Sequence, residues 1–285
     1  MIDFKISAHA TSQIMTEGKG KNKAEKLADL ETEITAENVK LSELKESSKS
    51  WLNKLEKVSK LNNELNELKA QPEKIELSQT CVTYLENWVK EQIYGYKFEF
   101  DSDQTLKGIT VEDDAIQYAA SALGWGMGIK KNQLRFSSEF MQGTPDLIID
   151  DLVIDIKCPE SPRTLPLFAK ELPTKAYYWQ LQTYMYLTGK AKAQVTYVMM
   201  PTPDEILKKV AFFKAKNLVG TENKIEFDAE FDTIFARLQY ENDFSNIDPK
   251  HRIACFDIER NDSDINAIIE RVKQCRDYIY KYLTI

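Results

Sequence analysis

The stretch Gly143–Glu160, GTPDLIIDDLVIDIKCPE, constrains the fold more than any other part of the chain. Its apolar residues are dense enough for two short strands joined at Asp150-Asp151, yet Asp146, Asp155 and Lys157 stand inside them. A two-residue turn at Asp150-Asp151 sets Ile149 opposite Leu152, Ile148 opposite Val153, Leu147 opposite Ile154 and Asp146 opposite Asp155. Side chains alternate along a strand, so Asp155 and Lys157 share one face and Asp146 joins them from across the pair. Directly opposed Cβ atoms lie roughly 4.5–5.5 Å apart. Two like charges at that separation destabilise a hairpin, and Lys157 balances only one of them.

A hard divalent cation held by oxygen would complete the balance, and Mg²⁺ commonly uses one or two carboxylates together with water and substrate phosphate. Such an ion polarises a phosphate and acidifies a bound water, while Lys157 orients that water or helps to remove its proton. A bare PD or a bare DxK reads as a turn cap or a solvated ion pair. The two at hairpin spacing, after a strand and before a helix, read as a phosphodiester-hydrolysing site.

The rest of the chain bounds this reading. At 285 residues with 42% hydrophobic content the chain can bury a substantial core. The net charge of -7 excludes a generally basic nucleic-acid coat but permits a local basic groove. The N-terminus MIDFKISAHATSQIM lacks the apolar core of a signal peptide, and the four cysteines are widely scattered. No apolar run approaches the roughly 20 residues that span a bilayer. The expectation is a soluble cytoplasmic protein with free thiols and no membrane segment.

From about Lys19 to Gln71 the chain is rich in Lys, Glu, Asn and Ser, with leucines at helical spacing. Leu27, Leu30, Ile34, Leu41 and Leu44 form one stripe, and Trp51, Leu55, Val58, Leu61, Leu65 and Leu68 another. The polar KESSKS between them, ending in Ser50 as N-cap, predicts a helical hairpin of coiled-coil type that Pro72 stops. Beyond it a helix ends at Gly95, and another begins with Thr110 as N-cap and Asp113 as its capping-box partner. QLRFSSEF, DLII and LVIDIK then read as three strands of a meander, TKAYYWQLQTYMYLTG as a helix and AQVTYVMM as a strand. Mixed helix and strand follow from Pro203, closing with the helix DINAIIERVKQCRDYIYKYL. The fold class is α/β (α+β), with the order helix, three-stranded meander, helix, strand.

Three further positions gain meaning from the hairpin. Glu112 lines up with Ile116, Ala119 and Leu123 on the inward stripe of its helix, although an acid in a first turn also complements the helix dipole. Gln180 shares a helix face with Tyr177 and Tyr184, where it serves a water or a ligating carboxylate, or is an ordinary surface glutamine. Arg163, in the proline-rich CPESPRTLP, is an anion clamp or a solvated loop residue. Cys158 reads as packing, because no general base stands near it in sequence.

TPD, DIK and the helix bearing QLQTYM together resemble the core of the PD-(D/E)xK nuclease superfamily, a restriction-endonuclease-like fold. More narrowly, ISAHATSQIMT, KGITVEDDA, GTPD, IDIKCPESPR and KAYYWQLQTYM resemble the lambda exonuclease or YqaJ-type viral recombinase family. The N-terminal segment and most of Leu77 to Pro201 carry the resemblance; the helical hairpin looks like an insertion. The division expected is residues 1–18 as an N-terminal part of the nuclease domain, 19–75 as the inserted hairpin and 76–285 as the rest of that domain.

The resemblance implies a Mg²⁺-dependent exonuclease, using two ions with Mn²⁺ as substitute. It would act 5′ to 3′ on ends of linear double-stranded DNA and leave 3′ single strands for recombination with an annealing recombinase. It also implies a homo-oligomer, a trimer in the family, in a bacterial host cytoplasm. By position, Asp146, Asp155 and the Ile156 carbonyl are metal ligands, Lys157 and Gln180 hold the attacking water, and Glu112 is the acid of the first core helix. Arg163 matches an arginine for the terminal 5′ phosphate. His9 replaces a phosphate-binding serine of the family, so that His9 or Lys5 takes its part, and Asp155 stands where Glu is commoner. The alternatives are a RecB-like or Cas4-like nuclease or an endonuclease on the same core, and a catalytically silent DNA-end-binding or protein-binding module. Four cysteines would serve an iron–sulfur cluster in the Cas4-like case, against which Cys255 and Cys275 are too far apart in sequence.

Overall fold

A computed structural model describes residues 3–18, 23–70, 77–98, 103–126 and 128–283. The chain divides into two compact units, residues 1–15 with 90–273 and residues 16–89 with 274–285.

The larger unit is built on two sheets. A four-stranded sheet has the order β4-β5-β6-β7, with β4 at Leu147–Ile149, β5 at Leu152–Lys157, β6 at Lys192–Val198 and β7 at Ile253–Glu259. β4 and β5 pair antiparallel in the register read from the sequence: Leu147↔Ile154, Ile148↔Val153 and Ile149↔Leu152. Asp150 makes the turn with φ of 51°, a left-handed conformation that Asp tolerates better than most residues. β5 and β6 pair parallel, which requires a crossover, and helix α6 (Lys175–Thr188) lies in it. Thr174 caps α6 through Ala176 N–H, and Gly189 ends it in the left-handed region.

Helices pack on both faces of this sheet, and its inner strands β5 and β6 are buried on both sides, whereas β7 at the edge leaves Cys255, Asp257 and Glu259 exposed. Val153, Val195 and Tyr197 pack with Leu181, Tyr184 and Met185 of α6. Ile154, Ile156 and Leu147 pack on the other face with Val111, Ala115, Ile116 and Ala119 of helix α5 (Asp103–Leu123). The alternation therefore turns Asp155 and Lys157 toward the α6 face.

The expected meander is modified at its first strand. Within QLRFSSEF only β2 (Phe136–Ser137) is extended, and it pairs with β3 (Met141–Gly143) rather than with β4. β3 also pairs parallel with β1 (Ile6–Ser7), giving a separate three-stranded sheet of order β1-β3-β2. Main-chain pairing thus carries the ISAHA segment to the chain just before Asp146. Helix α1 (Thr11–Met15) follows, its Thr11 hydroxyl 2.9 Å from that of Thr183 on α6.

α5 begins seven residues before the expected cap. Thr110 is interior, its hydroxyl donating to Leu106 O at 2.8 Å, and Leu123 at the far end of the stripe is exposed. The early start carries Lys107, only 2% exposed, whose ammonium donates to Pro159 O at 2.8 Å and Glu160 O at 3.0 Å. Two carbonyls compensate a buried charge only in part, and burial lowers the Lys107 pKa to about 8. After β6, helices α7 (Asp204–Val219) and α8 (Lys224–Glu241) pack on each other through Leu207, Ala211, Ala215, Ile234 and Leu238.

In the smaller unit α2 (Lys23–Ser42) and α3 (Lys49–Ala70) form an antiparallel pair around Ile34, Leu61 and Leu65, flanked by Leu27 and Leu30. Ion pairs such as Lys69–Glu31 and Lys54–Glu37 join the two helices. The cap of α3 is Ser48, which accepts from Trp51 N–H, and not Ser50; Leu55 is exposed rather than part of the apolar seam. Pro72 and the expected boundaries at 19 and 75 lie outside the described residues. Cys81 on α4 (Gln79–Tyr94) and Cys275 on α9 (Asp262–Tyr282) are both fully buried, their sulfurs 3.7 Å apart. Among the described residues no helix is long and apolar enough to cross a membrane.

The lowered Lys107 pKa has a defined sign. Between about pH 8 and the ordinary lysine value the folded chain binds fewer protons than the unfolded one, so stability rises with pH there. Measured by urea denaturation, the stability of the parent relative to Lys107→Met should rise from pH 7.5 to pH 10, by roughly 3 kcal/mol at most. A difference that is flat or falls with pH would refute the buried, depressed ammonium.

Candidate active site

β5 outruns β4, and that mismatch builds the site. Beyond Ile154 the outer edge of β5 has no β4 backbone to pair with, and the Asp146 carboxylate takes the place of a strand: Oδ2 accepts from Ile156 N–H at 2.7 Å. The Asp146 carbonyl accepts from Asn132 N–H, also at 2.7 Å. Asp146 is thus fixed through both side chain and backbone, on the side of the hairpin where Asp155 charge acts on it.

Asp155 is 2% exposed. Its Oδ1 accepts from Gln180 Nε2 at 2.7 Å, and the same Gln180 nitrogen lies 3.2 Å from Tyr184 Oη. The Tyr184 hydroxyl in turn donates to Thr144 O at 3.1 Å, closing a chain from TPD to α6 and back to DIK. Gln180 is therefore a buried partner of the carboxylate and not a surface glutamine. Lys157 Nζ lies 2.7 Å from Asp155 Oδ2 as an ion pair, although that oxygen receives no hydrogen bond of good geometry. The Tyr177 ring supports the ammonium, its centroid 4.9 Å from Nζ.

The electrostatics show an unbalanced pair. Burial, and next the Asp155 charge, push the Asp146 carboxyl far above the usual carboxylate range; the Ile156 N–H and Lys157 only partly oppose this. For Lys157 burial is the largest influence and acts downward, but the charge and hydrogen bond of Asp155, with the charges of Asp146 and Tyr177, together outweigh it and raise the ammonium pKa. Lys157 is accordingly a fixed positive charge, which favours orienting a water over removing its proton. Burial pushes the Cys158 thiol up to about 11, in keeping with a packing residue.

Glu112 reaches the same cluster from α5, since its charge also raises Asp146, and it forms an ion pair with Lys131. His9 meets solvent, yet crowding by its neighbours and the charges of Lys97, Lys157 and Arg135 lower its pKa. The structure thus brings His9 to Lys157. Lys5 donates to Ser137 Oγ at 3.4 Å. Arg163 is exposed on the turn Ser161–Thr164, and among the described residues no contact ties it to the carboxylates.

Several residues of this site escaped the sequence reading. Lys97, Arg135 and Lys131 are charged residues without a motif. Gly143 could have been found from its place before TPD: a Cβ there would stand 2.8 Å from the Tyr184 ring and 2.9 Å from Ala8 Cβ. Only glycine lets α6 and the ISAHA segment close on the hairpin.

The donor set suits a hard cation. Asp146, Asp155 and the Ile156 carbonyl offer oxygen alone, and the buried Asp155 Oδ2 lacks a hydrogen bond. Among the described residues no three His, Cys, Asp or Glu side chains form a ready-made metal cage.

Compared with solved structures, the chain is similar to a phage related exonuclease from Haemophilus somnus 129PT, with a TM-score of 0.61 and 22% identity over 97% of this chain and 94% of that one. It is also similar to an alkaline exonuclease from Laribacter hongkongensis, with a TM-score of 0.52 and 14% identity over 97% of this chain and 88% of that one. The chain has the fold of these exonucleases. A structure of the Laribacter enzyme in complex with dAMP matches at a TM-score of 0.51 and 14% identity, over 97% of this chain and 88% of that one. No family model and no curated protein matches the sequence. The shared fold agrees with the resemblance carried by the PD, DxK and QLQTYM motifs and extends over nearly the whole chain.

The raised Asp146 pKa means that folding without a cation is opposed by this carboxylate, increasingly as pH rises from the ordinary carboxylate range toward the folded value. Asp146→Asn keeps an acceptor for Ile156 N–H and removes the repulsion. In chelator at neutral pH it should be more stable than the parent by the order of a few kcal/mol, with the gain shrinking toward pH 4. Thermal unfolding of both proteins across that range checks it, and a less stable variant would contradict the account.

Proposed function

We propose that the protein is a Mg²⁺-dependent deoxyribonuclease that degrades linear double-stranded DNA exonucleolytically. The observation that carries this reading is the half-buried Asp146 acting on the buried Asp155, with Lys157 on one oxygen of Asp155 and Gln180 on the other. Asp146, Asp155 and the Ile156 carbonyl would hold the cation, one or two ions with Mn²⁺ as substitute, which supplies Lewis-acid polarisation of the scissile phosphate and acidifies water. Lys157, kept charged by Asp155, stabilises the developing charge and orients the water. Gln180, fixed by Tyr184, holds the Asp155 carboxylate in one rotamer. The positive charges of Lys97, Arg135 and Lys157 that act on His9 favour a phosphate backbone there.

The finer reading is 5′ to 3′ digestion that leaves 3′ tails for strand annealing in phage-type recombination, in a host cytoplasm. It is supported by the motif resemblance and by neighbours described as a phage related and an alkaline exonuclease. His9, with Lys5 near the same segment, stands where the resemblance places a terminal phosphate, and Arg163, exposed on its turn, is the further candidate to hold it. A trimer and a single-strand annealing partner follow from the same resemblance.

Duplexes labelled at either end, with and without a 5′ phosphate, should lose nucleotides from the 5′ end in Mg²⁺, while closed circles stay intact. Asp146→Asn and Lys157→Met, folded by circular dichroism, should each lose at least about a hundredfold in rate. Undiminished digestion by both variants would sink the assignment. Cleavage of closed circles would make the protein an endonuclease on this core, and metal-independent binding without hydrolysis a DNA-end-binding module.

A further inference from the structure

Three acids and two lysines make up the charged centre, and their pairing is uneven. Lys157 sits on Asp155 and Lys131 on Glu112, while Asp146 is raised by both acids. The Lys131–Glu112 pair is partly shielded, the two side chains being 30% and 19% exposed. Its place is built into the fold. Asn132, the next residue, donates its N–H to Asp146 O at 2.7 Å and its Nδ2 to Pro145 O and Leu134 O at 3.0 Å, and it accepts from Leu134 N–H at 3.1 Å. On the other side, Gln117 of α5 donates to Ile129 O. The segment 129–134 is therefore tied both to the helix that carries Glu112 and to the backbone of Asp146, and it delivers the Lys131 ammonium to the carboxylate.

We propose that Lys131 is a built-in counter-ion that competes with the divalent cation for Glu112 and so sets the cation concentration at which the site becomes occupied. Without a cation, Lys131 neutralises Glu112 and keeps three carboxylates from gathering. An arriving cation must displace the ammonium before Glu112 can serve it, directly or through water. The proposal rests on the cation-dependent reading of the site given above, but its test needs no DNA.

Mn²⁺ binding to the full-length chain, followed by calorimetry or by electron paramagnetic resonance of free Mn²⁺, reads the competition. Lys131→Met should bind Mn²⁺ about three- to tenfold more tightly than the parent, the scale of one partly shielded ion pair. The gain should vanish in a Glu112→Gln background, because the lysine then has nothing to compete for. Equal or weaker binding by a folded Lys131→Met overturns the proposal. So does a gain that persists beside Glu112→Gln, since that reports only the loss of a distant positive charge. Failure of the nuclease reading shows separately, as a parent that leaves DNA intact. A parent and a Lys131→Met variant that both ignore Mn²⁺ would overturn the competition outright.

Discussion

Everything at the centre of this molecule depends on keeping two aspartates, Asp155 buried and Asp146 half-buried, within reach of each other's charge. Burial and mutual repulsion both oppose the ionised Asp146, so the pair is a local cost that the surrounding fold must outweigh. The structure does this by over-determining each carboxylate. Asp146 is held by Ile156 N–H and through its own carbonyl by Asn132; Asp155 is held by Gln180 and faced by Lys157. Carboxylates that repel each other and are nonetheless fixed in geometry are organised for function rather than for stability.

The architecture follows from that requirement. A sheet covered on both faces gives β5 apolar neighbours on alternate residues: Ile154 and Ile156 pack against α5, while Val153 packs against α6. Asp155 and Lys157 are thereby forced onto the α6 face, where Gln180 and Tyr177 stand. Ending β4 at Leu147 frees one backbone donor of β5 for a side chain, and the TPD turn supplies it. The parallel strand β1 then draws the ISAHA segment alongside, which brings His9 to the rim of the same charge cluster.

Much of this was legible in the chain because strand pairing is a local, period-two code. The Asp150-Asp151 turn and the apolar pattern on either side set the register, and the register alone makes Asp146 oppose Asp155. Helical spacing shows that Gln180 shares a face with Tyr177 and Tyr184 but not that this face is buried, which the hydrogen bond to Asp155 decides. Capping signals misled at Thr110 and Ser50. In each case the helix starts earlier, at Asp103 and Lys49, and for α5 the earlier turn serves a tertiary contact, Lys107 on the Pro159 and Glu160 carbonyls.

The sequence by itself determined the hairpin, its register and the placing of Asp155 and Lys157 on one face, because those depend on residues within a few positions of one another. Only the tertiary structure decided which charges answer the aspartates. Lys131 reaches Glu112 across 19 positions, and Gln180 reaches Asp155 across 25. The charges of Lys97 and Arg135 act on His9 from segments that carry no pattern of their own. Electrostatic partners need proximity in space and impose no spacing along the chain, so no periodicity records them. Packing behaves in the same way at Gly143, whose missing side chain matters only because Tyr184 and Ala8 arrive from elsewhere to occupy the room.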